Sequence, residues 1–395
     1  MPFEWLLFFV CIVFWIAYAA SGNGYTEWRG LNPLGRDFYN FYTGGKAAWT
    51  GGVAWLYDRE LYSQNNVANG IWPDYNFSYP PHALMLLSVF GLVPYKIGFA
   101  FWSFGSAICY ITVARKFPKP DDDSIRLLTL FAPAVMISFF WGQTGMWVAA
   151  LLGAGLMCVP QKPLLAGVLF GLLTVKPQLG LLLAPMLLFG GHYRVIVSAG
   201  LTTLVLCLLS VMAYGVQPWM LYVSDTLAYQ AELLERSVGV FDYMVLTPYR
   251  ALYLLGLPKA FCMTIHVAIM LFMLGIVWRM TREKAPWTLI ISATLIGTVF
   301  MSPYFVVYDL VIVGLAALAG WASFAKTTRN FVILAIFAAL SPALILTGLP
   351  PVIIVVPTAV LTCAGIFMLK DLCTAGRIPE KTPHELTAAN LKMSG

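Results

Sequence analysis

Asp37, Lys176 and Asp309 are ionisable residues set at the edge of, or inside, long apolar runs. Asp37 lies in Arg36-Asp37-Phe38-Tyr39-Asn40-Phe41-Tyr42-Thr43-Gly44-Gly45-Lys46-Ala47-Ala48-Trp49, early in a long loop after the first apolar span. A carboxylate there, reached by water and close to a substrate hydroxyl, can serve as a general base. Asp before a periodic segment is also a common helix N-cap, and the two roles are compatible. Lys176 stands in Gly171-Leu172-Leu173-Thr174-Val175-Lys176-Pro177-Gln178, within the apolar run 163–190. A lysine deep in a bilayer costs roughly 2.5–3.5 kcal/mol even on insertion scales, so it either snorkels to the surface or faces a cavity or partner. Phosphate suits an ammonium point charge, and Pro177 would break the helix beside it.

Three further groups interrupt apolar runs. Trp141-Gly142-Gln143-Thr144-Gly145 is either a tight turn or a polar lining that includes Gln143. In Ser302-Pro303-Tyr304-Phe305-Val306-Val307-Tyr308-Asp309 an acid begins a span. A helix N-terminus favours an acid in any case, yet an isolated carboxylate at the edge of hydrocarbon is a functional candidate. Tyr79-Pro80-Pro81-His82 reads as an ordinary proline-led helix start, with His82 the weakest candidate.

The elements that must hold these residues are helices in a membrane. Of 395 residues, 60% are hydrophobic and 11% charged, against about 25% charged in a soluble globule. Mean hydropathy is +0.78. Apolar runs of about 20 residues, long enough to cross the hydrocarbon, recur without period-two alternation, so the spans are α-helical. The expected fold is an all-α polytopic bundle of about eleven to thirteen spans. One membrane domain covers 1–370, with a first long loop at 21–77, a second at 216–257, and a polar cytoplasmic tail at 371–395. Residues 3–20 are expected to form a retained first helix, because they lack the positive n-region of a signal peptide. The first loop mixes acids with Trp28, Trp49, Trp55 and Trp72, as suits an interfacial segment. Phe38, Phe41, Tyr42, Gly45 and Trp49 recur at helical spacing within it.

The net charge of +6 is dispersed between spans and is no nucleic-acid signal. Arg279, Arg282 and Lys284, then Lys326 and Arg329, then Lys370, Arg377 and Lys381 mark cytoplasmic segments. The loop 216–257 and the segment at Ser302 then fall outside. If the 36–49 loop is also outside, the crossings between the two long loops are even in number. That depends on whether 78–93 crosses fully, and on whether 163–190 is one helix or two. The 7 Cys stand singly, without metal-ligand or paired spacing. No metal or cofactor is called for, and no nucleotide-binding or hydrolase motif stands in a usable context. A donor already carried by a membrane lipid phosphate therefore fits better than a soluble sugar nucleotide.

In order and spacing, these groups resemble glycosyltransferase family 87, integral-membrane enzymes of the GT-C class. The matching features are the Asp37-Phe38 loop with Gly51-Gly52 and Leu56-Tyr57-Asp58, then Tyr79-Pro80-Pro81, Gly142-Gln143, and Ala166-Gly167-Val168-Leu169-Phe170-Gly171 leading to Lys176-Pro177-Gln178. Together they cover about residues 36–195. Members include polyprenol-phosphate-mannose-dependent α-1,2-mannosyltransferases. The resemblance implies an inverting transfer, on the external or periplasmic side of a cell inner membrane, from a polyprenyl-phosphate sugar to a glycolipid or glycan. Asp37 would be the catalytic base and Lys176 would help hold the carrier phosphate. Gln178, Gln143, Tyr79, Tyr304, Tyr308 and Asp309 would contact substrate. Mannosyltransferase members often carry a His-bearing segment where Tyr308 and Asp309 stand here, which leaves sugar and acceptor open. A transporter or flippase of a lipid-linked saccharide is the reading from another class. It would favour inverted repeats with two interrupted helices, and the sequence holds one Lys-Pro break without a second copy in the other half.

Overall fold

The computed structural model describes residues 35–71, 73–118, 123–236 and 239–376. The expected helix at 3–20 and the tail from 377 onward lie outside these, while residues 371–375 of the expected tail continue the last helix, Val355–Ala375. Among the described residues the chain is helical throughout, and its one isolated antiparallel bridge joins Val245 to Val306. The principal helices are α1 (Phe38–Thr50), α2 (Tyr95–Ala114), α3 (Pro133–Trp141), α4 (Gly145–Cys158), α5 (Pro163–Leu172), α6 (Tyr193–Tyr214), α7 (Lys259–Arg282), α8 (Trp287–Thr298), α9 (Val311–Gly320), α10 (Lys326–Phe337) and α11 (Val355–Ala375).

Five helical stretches among the described residues are long and apolar enough to cross a bilayer: Tyr95–Ala114, Tyr193–Tyr214, Lys259–Arg282, Lys326–Thr347 and Pro351–Ala375. The pair Ile125–Trp141 and Gly145–Cys158 makes a sixth if taken as one span, and it is bent by 119° at the break. Shorter apolar helices make up the rest, including Pro163–Val175, Pro177–Phe189, Trp287–Thr298 and Val307–Ser323. Where the sequence shows one apolar run at 163–190, the chain forms two short helices broken around Lys176. The run at 78–93 yields only Ala83–Leu87 and a 3-10 turn to Leu92, too short to cross.

Burial separates lipid-facing helices from central ones. Helices α8 and α9 are apolar on every side, and every described position of α9 is buried, as expected at a bundle centre. By contrast α6 exposes Val197, Leu201, Leu204, Leu208 and Met212, an apolar face that is stable only against hydrocarbon. Small residues set the closest helix contacts. A Cβ on Gly167 would lie 2.3 Å from the Ser198 Cβ, and one on Gly171 would lie 2.5 Å from the Thr202 Cβ. This glycine pair, one turn apart, lets α5 and α6 approach closely, a common device where lipid supplies no hydrophobic drive. On the first loop, a Cβ on Gly91 would fall 2.3 Å from the Gly45 carbonyl, so α1 crosses the 88–92 turn backbone to backbone.

The bundle has two unlike ends. The Tyr95 hydroxyl donates to the Gly35 carbonyl at 2.5 Å, so α2 begins beside α1. Its 20 residues, at 1.5 Å each, then carry the chain about 30 Å to Arg115 and Lys116. At that far end the Trp287 Nε1 donates to the Leu156 carbonyl (2.9 Å) and the Trp287 ring meets His192 at 5.4 Å. At the near end the two long loops touch. The Tyr229 hydroxyl donates to the Asp74 carbonyl and the Gln230 Nε2 to the Ser78 carbonyl, each at 3.1 Å. Both loops therefore lie at one end of the bundle. The second loop is fixed internally by Arg250, which bonds the Leu234 carbonyl (2.6 Å) and the Asp242 carboxylate (2.8 Å) out of solvent contact.

Candidate active site

The Gly142–Gly145 break is a spacer with a different segment on each side. Gly142 ends α3 in the left-handed region (φ 73), and a Cβ there would lie 2.6 Å from the Phe38 Cβ. The backbone before α1 is pinned to the same place, with the Gly35 and Asp37 amides donating to the Phe140 and Trp141 carbonyls at 2.7 and 2.8 Å. On the other side, a Cβ on Gly145 would sit 2.0 Å from the Tyr308 carbonyl oxygen, which also accepts from the Ser138 hydroxyl at 3.4 Å. The break is thus thin enough to bring Asp37 and Asp309 towards each other from opposite faces. The second loop braces the Asp309 segment: Val307 N donates to the Met244 carbonyl (2.9 Å) and the Thr247 hydroxyl to the Pro303 carbonyl (3.0 Å).

Lys176 enters from the broken span. Proline disfavours helical backbone in the residue before it, and Lys176 accordingly leaves the helix at φ −130, ψ 74, between two 3-10 turns. Its Nζ donates to both Asp309 oxygens at 2.8 and 2.9 Å and stands 4.5 Å from the Tyr308 ring centroid. The two side chains are only 7% and 3% exposed. In such surroundings the ammonium and carboxylate hold each other in place, since either alone would be a desolvated charge without a partner.

Asp37 occupies the N-cap position of α1, yet its carboxylate caps nothing: it makes no hydrogen bond to the first-turn amides. Asp58, by contrast, does cap its helix, accepting from the Glu60 and Leu61 amides at 3.0 Å each. One Asp37 oxygen, Oδ1, takes the Arg36 Nε at 3.1 Å, and the Arg36 guanidinium lies 4.6 Å over the Trp141 ring. The other, Oδ2, is buried with no hydrogen-bond partner among the described residues. A carboxylate oriented through one oxygen and open at the other is arranged to accept a proton. Its charge also acts electrostatically on Lys176, Tyr79 and Tyr308.

The other residues singled out by sequence distribute unevenly. Tyr79 is buried within electrostatic reach of both Asp309 and Asp37. Tyr308 covers Lys176. Tyr304, half-buried, stacks obliquely on Phe241 at 5.8 Å. Gln143 turns back on its own loop, accepting from the Thr144 amide at 3.3 Å. Gln178 is half-buried in the turn after Lys176 and makes no hydrogen bond among the described residues. His82 lies apart, stacked on Trp219 at 5.7 Å with its Nε2 3.1 Å from the Thr174 hydroxyl. Sequence reasoning passed over Arg36, although its adjacency to Asp37 was the available signal. Among the described residues no three His, Cys, Asp or Glu side chains come together as a metal-ligand group.

Comparison with known families shows what kind of protein holds this site. The family model for glycosyltransferase family 87 matches residues 77–303, more than half of the chain. The chain belongs to glycosyltransferase family 87. It is a membrane glycosyltransferase, and within the family match lie Tyr79, Gln143, Lys176 and Gln178. Asp37 precedes the matched stretch, while Tyr304, Tyr308 and Asp309 follow directly after its end. No curated protein and no solved structure matches the chain.

Proposed function

We propose that this family 87 member moves a sugar, a mannose or similar hexose or pentose, from a polyprenyl-phosphate carrier to a glycolipid or glycan hydroxyl on the external face of the membrane. The observation that carries the reading is the buried Lys176 ammonium within electrostatic reach of an Asp37 carboxylate with one open oxygen. Those are the two charges that transfer from a lipid phosphate requires, a cation for the leaving group and a base for the acceptor. Lysine has three N–H donors, and Asp309 takes two, which leaves one for a phosphate oxygen.

The bond that forms joins the acceptor oxygen to the anomeric carbon, and the bond that breaks joins that carbon to the carrier phosphate oxygen. Asp37 Oδ2 takes the acceptor proton, and the electron pair of the broken bond leaves with the polyprenyl phosphate. A single displacement of this kind inverts the anomeric centre. Arg36, through Oδ1, orients the carboxylate and balances its charge before the proton arrives. Asp309 and Tyr308 keep Lys176 aimed, and Tyr79 and Gln143 stand where a sugar hydroxyl would meet them. Basic residues gather at the far end: Arg115 and Lys116 follow α2, Arg279 and Arg282 lie in the last turn of α7, and Lys326 and Arg329 lie in the first turn of α10. Under the positive-inside rule this supports an external site.

The test is donor class. Proteoliposomes of the purified chain, given an envelope lipid extract as acceptor, are expected to transfer label from polyprenyl-phosphate mannose or another polyprenyl-phosphate sugar. Label arriving only from sugar nucleotides would contradict the proposal.

A further inference from the structure

Between the two long loops lies a cleft of about 340 Å³, counting its part open to solvent. Residues from 56–62 and 73–77 form one wall, and Asp225, Thr226 and Tyr229 form the other. We infer that this cleft is a subsite for a neutral saccharide, the acceptor of the transfer; the assignment rests on the function proposed above.

The lining pairs aromatic and polar groups, as a sugar site does. Tyr57 and Tyr229, both buried, back the cleft with aromatic bodies that carry polar tips. Two polar atoms of the lining are buried without a hydrogen-bond partner, the Tyr57 hydroxyl and the Asn76 Nδ2. Buried polar groups in folded proteins are nearly always paired, so orphaned groups in a cleft wall are open positions for a ligand's own hydroxyls. Burial pushes the Tyr57 phenol well above its usual range, which keeps it a neutral hydroxyl able to donate and accept. Asp225 adds an exposed carboxylate that makes no hydrogen bond among the described residues, displayed by a π-helical turn at Tyr222–Thr226. Such turns interrupt helices frequently at functional sites.

Charge argues for a neutral ligand. Asp74 and Asp225 face a single guanidinium, Arg59, which already meets Glu232 at 3.6 Å and lies 4.2 Å over the Tyr229 ring. A phosphate would be repelled here, so the carrier and the acceptor would come from different directions. The cleft also borders the proposed base. Its wall residue Tyr75 accepts from the Arg36 Nε at 3.3 Å, and the same nitrogen holds Asp37 at 3.1 Å. Asn40, one turn along α1 from Asp37, donates to the Asn76 carbonyl at 3.3 Å and accepts from Tyr62 at 2.5 Å.

The test is saturation-transfer NMR on the full chain in lipid nanodiscs, with methyl α-mannoside, methyl β-glucoside and methyl β-galactoside as probes. At least one glycoside is expected to bind. The double variant Tyr57→Phe, Asp225→Ala removes groups that hold nothing in the fold, and it should weaken binding about five- to tenfold, the scale of one or two lost hydrogen bonds. Tighter binding of the matching octyl glycoside would identify a glycolipid acceptor, and equal binding a free glycan; both support the site. Asp37→Asn, tested alongside, should still bind the glycoside. If Asp37→Asn transfers normally while the double variant loses binding, the base assignment falls and the cleft stands. No saturation from any probe, or equal signals from wild type and double variant, overturns the cleft.

Discussion

Asp37→Asn is expected to lower sugar transfer by about 10²- to 10⁴-fold, the usual contribution of a positioned general base, while leaving the protein folded. The amide keeps the size of the side chain and can still meet Arg36 through its oxygen, but it cannot accept a proton from the acceptor. The structural cost is small because the Asp37 carboxylate bonds none of the α1 amides, so no helix cap is lost. Initial rates at saturating donor and acceptor, with unfolding temperature as a control, check the prediction. The drop should fall on kcat rather than on either KM. An Asn variant with undiminished kcat would remove Asp37 from the chemistry and return it to a purely structural place at the head of α1.

Lys176→Ala is expected to cost about 3–5 kcal/mol of stability, because it strands the Asp309 carboxylate without its partner. The protein would then be difficult to purify, and loss of activity alone would say nothing about phosphate. The informative variant removes both charges, Lys176→Met with Asp309→Leu. Replacing a buried ion pair by apolar groups of similar volume is often neutral or stabilising, so this protein should unfold near the wild-type temperature. Its KM for the polyprenyl-phosphate sugar is nevertheless expected to rise about ten- to a hundredfold, the scale of one hydrogen bond to a charged group. Unfolding temperature and donor KM, measured on the same preparation, separate the two roles. A stable double variant with wild-type donor KM would make the pair purely architectural.

Much of this was legible in the sequence because charge is conspicuous where almost everything is apolar. Asp37, Lys176 and Asp309 stand out beside hydrocarbon-length runs, and Pro177 and Gly142 announce the breaks that free them from helical geometry. The helix at Phe38–Thr50 follows from the spacing of its aromatic residues, and the spans in the second half follow from length and hydropathy. What a local pattern cannot carry is which distant segments meet. Lys176 pairs with an acid 133 positions away, and nothing in either stretch names the other. The same holds for Gly145, whose missing side chain admits the Tyr308 backbone, and for the bridge from Val245 to Val306. Span number was equally hard to read, since a run such as 163–190 is long enough for one crossing yet folds as two short helices around Lys176. The cleft between the loops has no linear signature at all, because Tyr57, Asn76 and Asp225 come from three separate segments. The Asp37 N-cap reading illustrates the remaining ambiguity: the position was correct, and only the three-dimensional structure shows that the carboxylate bonds none of the first-turn amides.

The most direct measurement of the central claim is the anomeric configuration of the product, read by NMR after transfer from whichever polyprenyl-phosphate sugar the chain accepts. One displacement, with Asp37 taking the acceptor proton and the carrier phosphate leaving, predicts a product of inverted configuration alone. A product that retains the donor configuration would require a covalent sugar intermediate or a different attack geometry, and it would contradict the account.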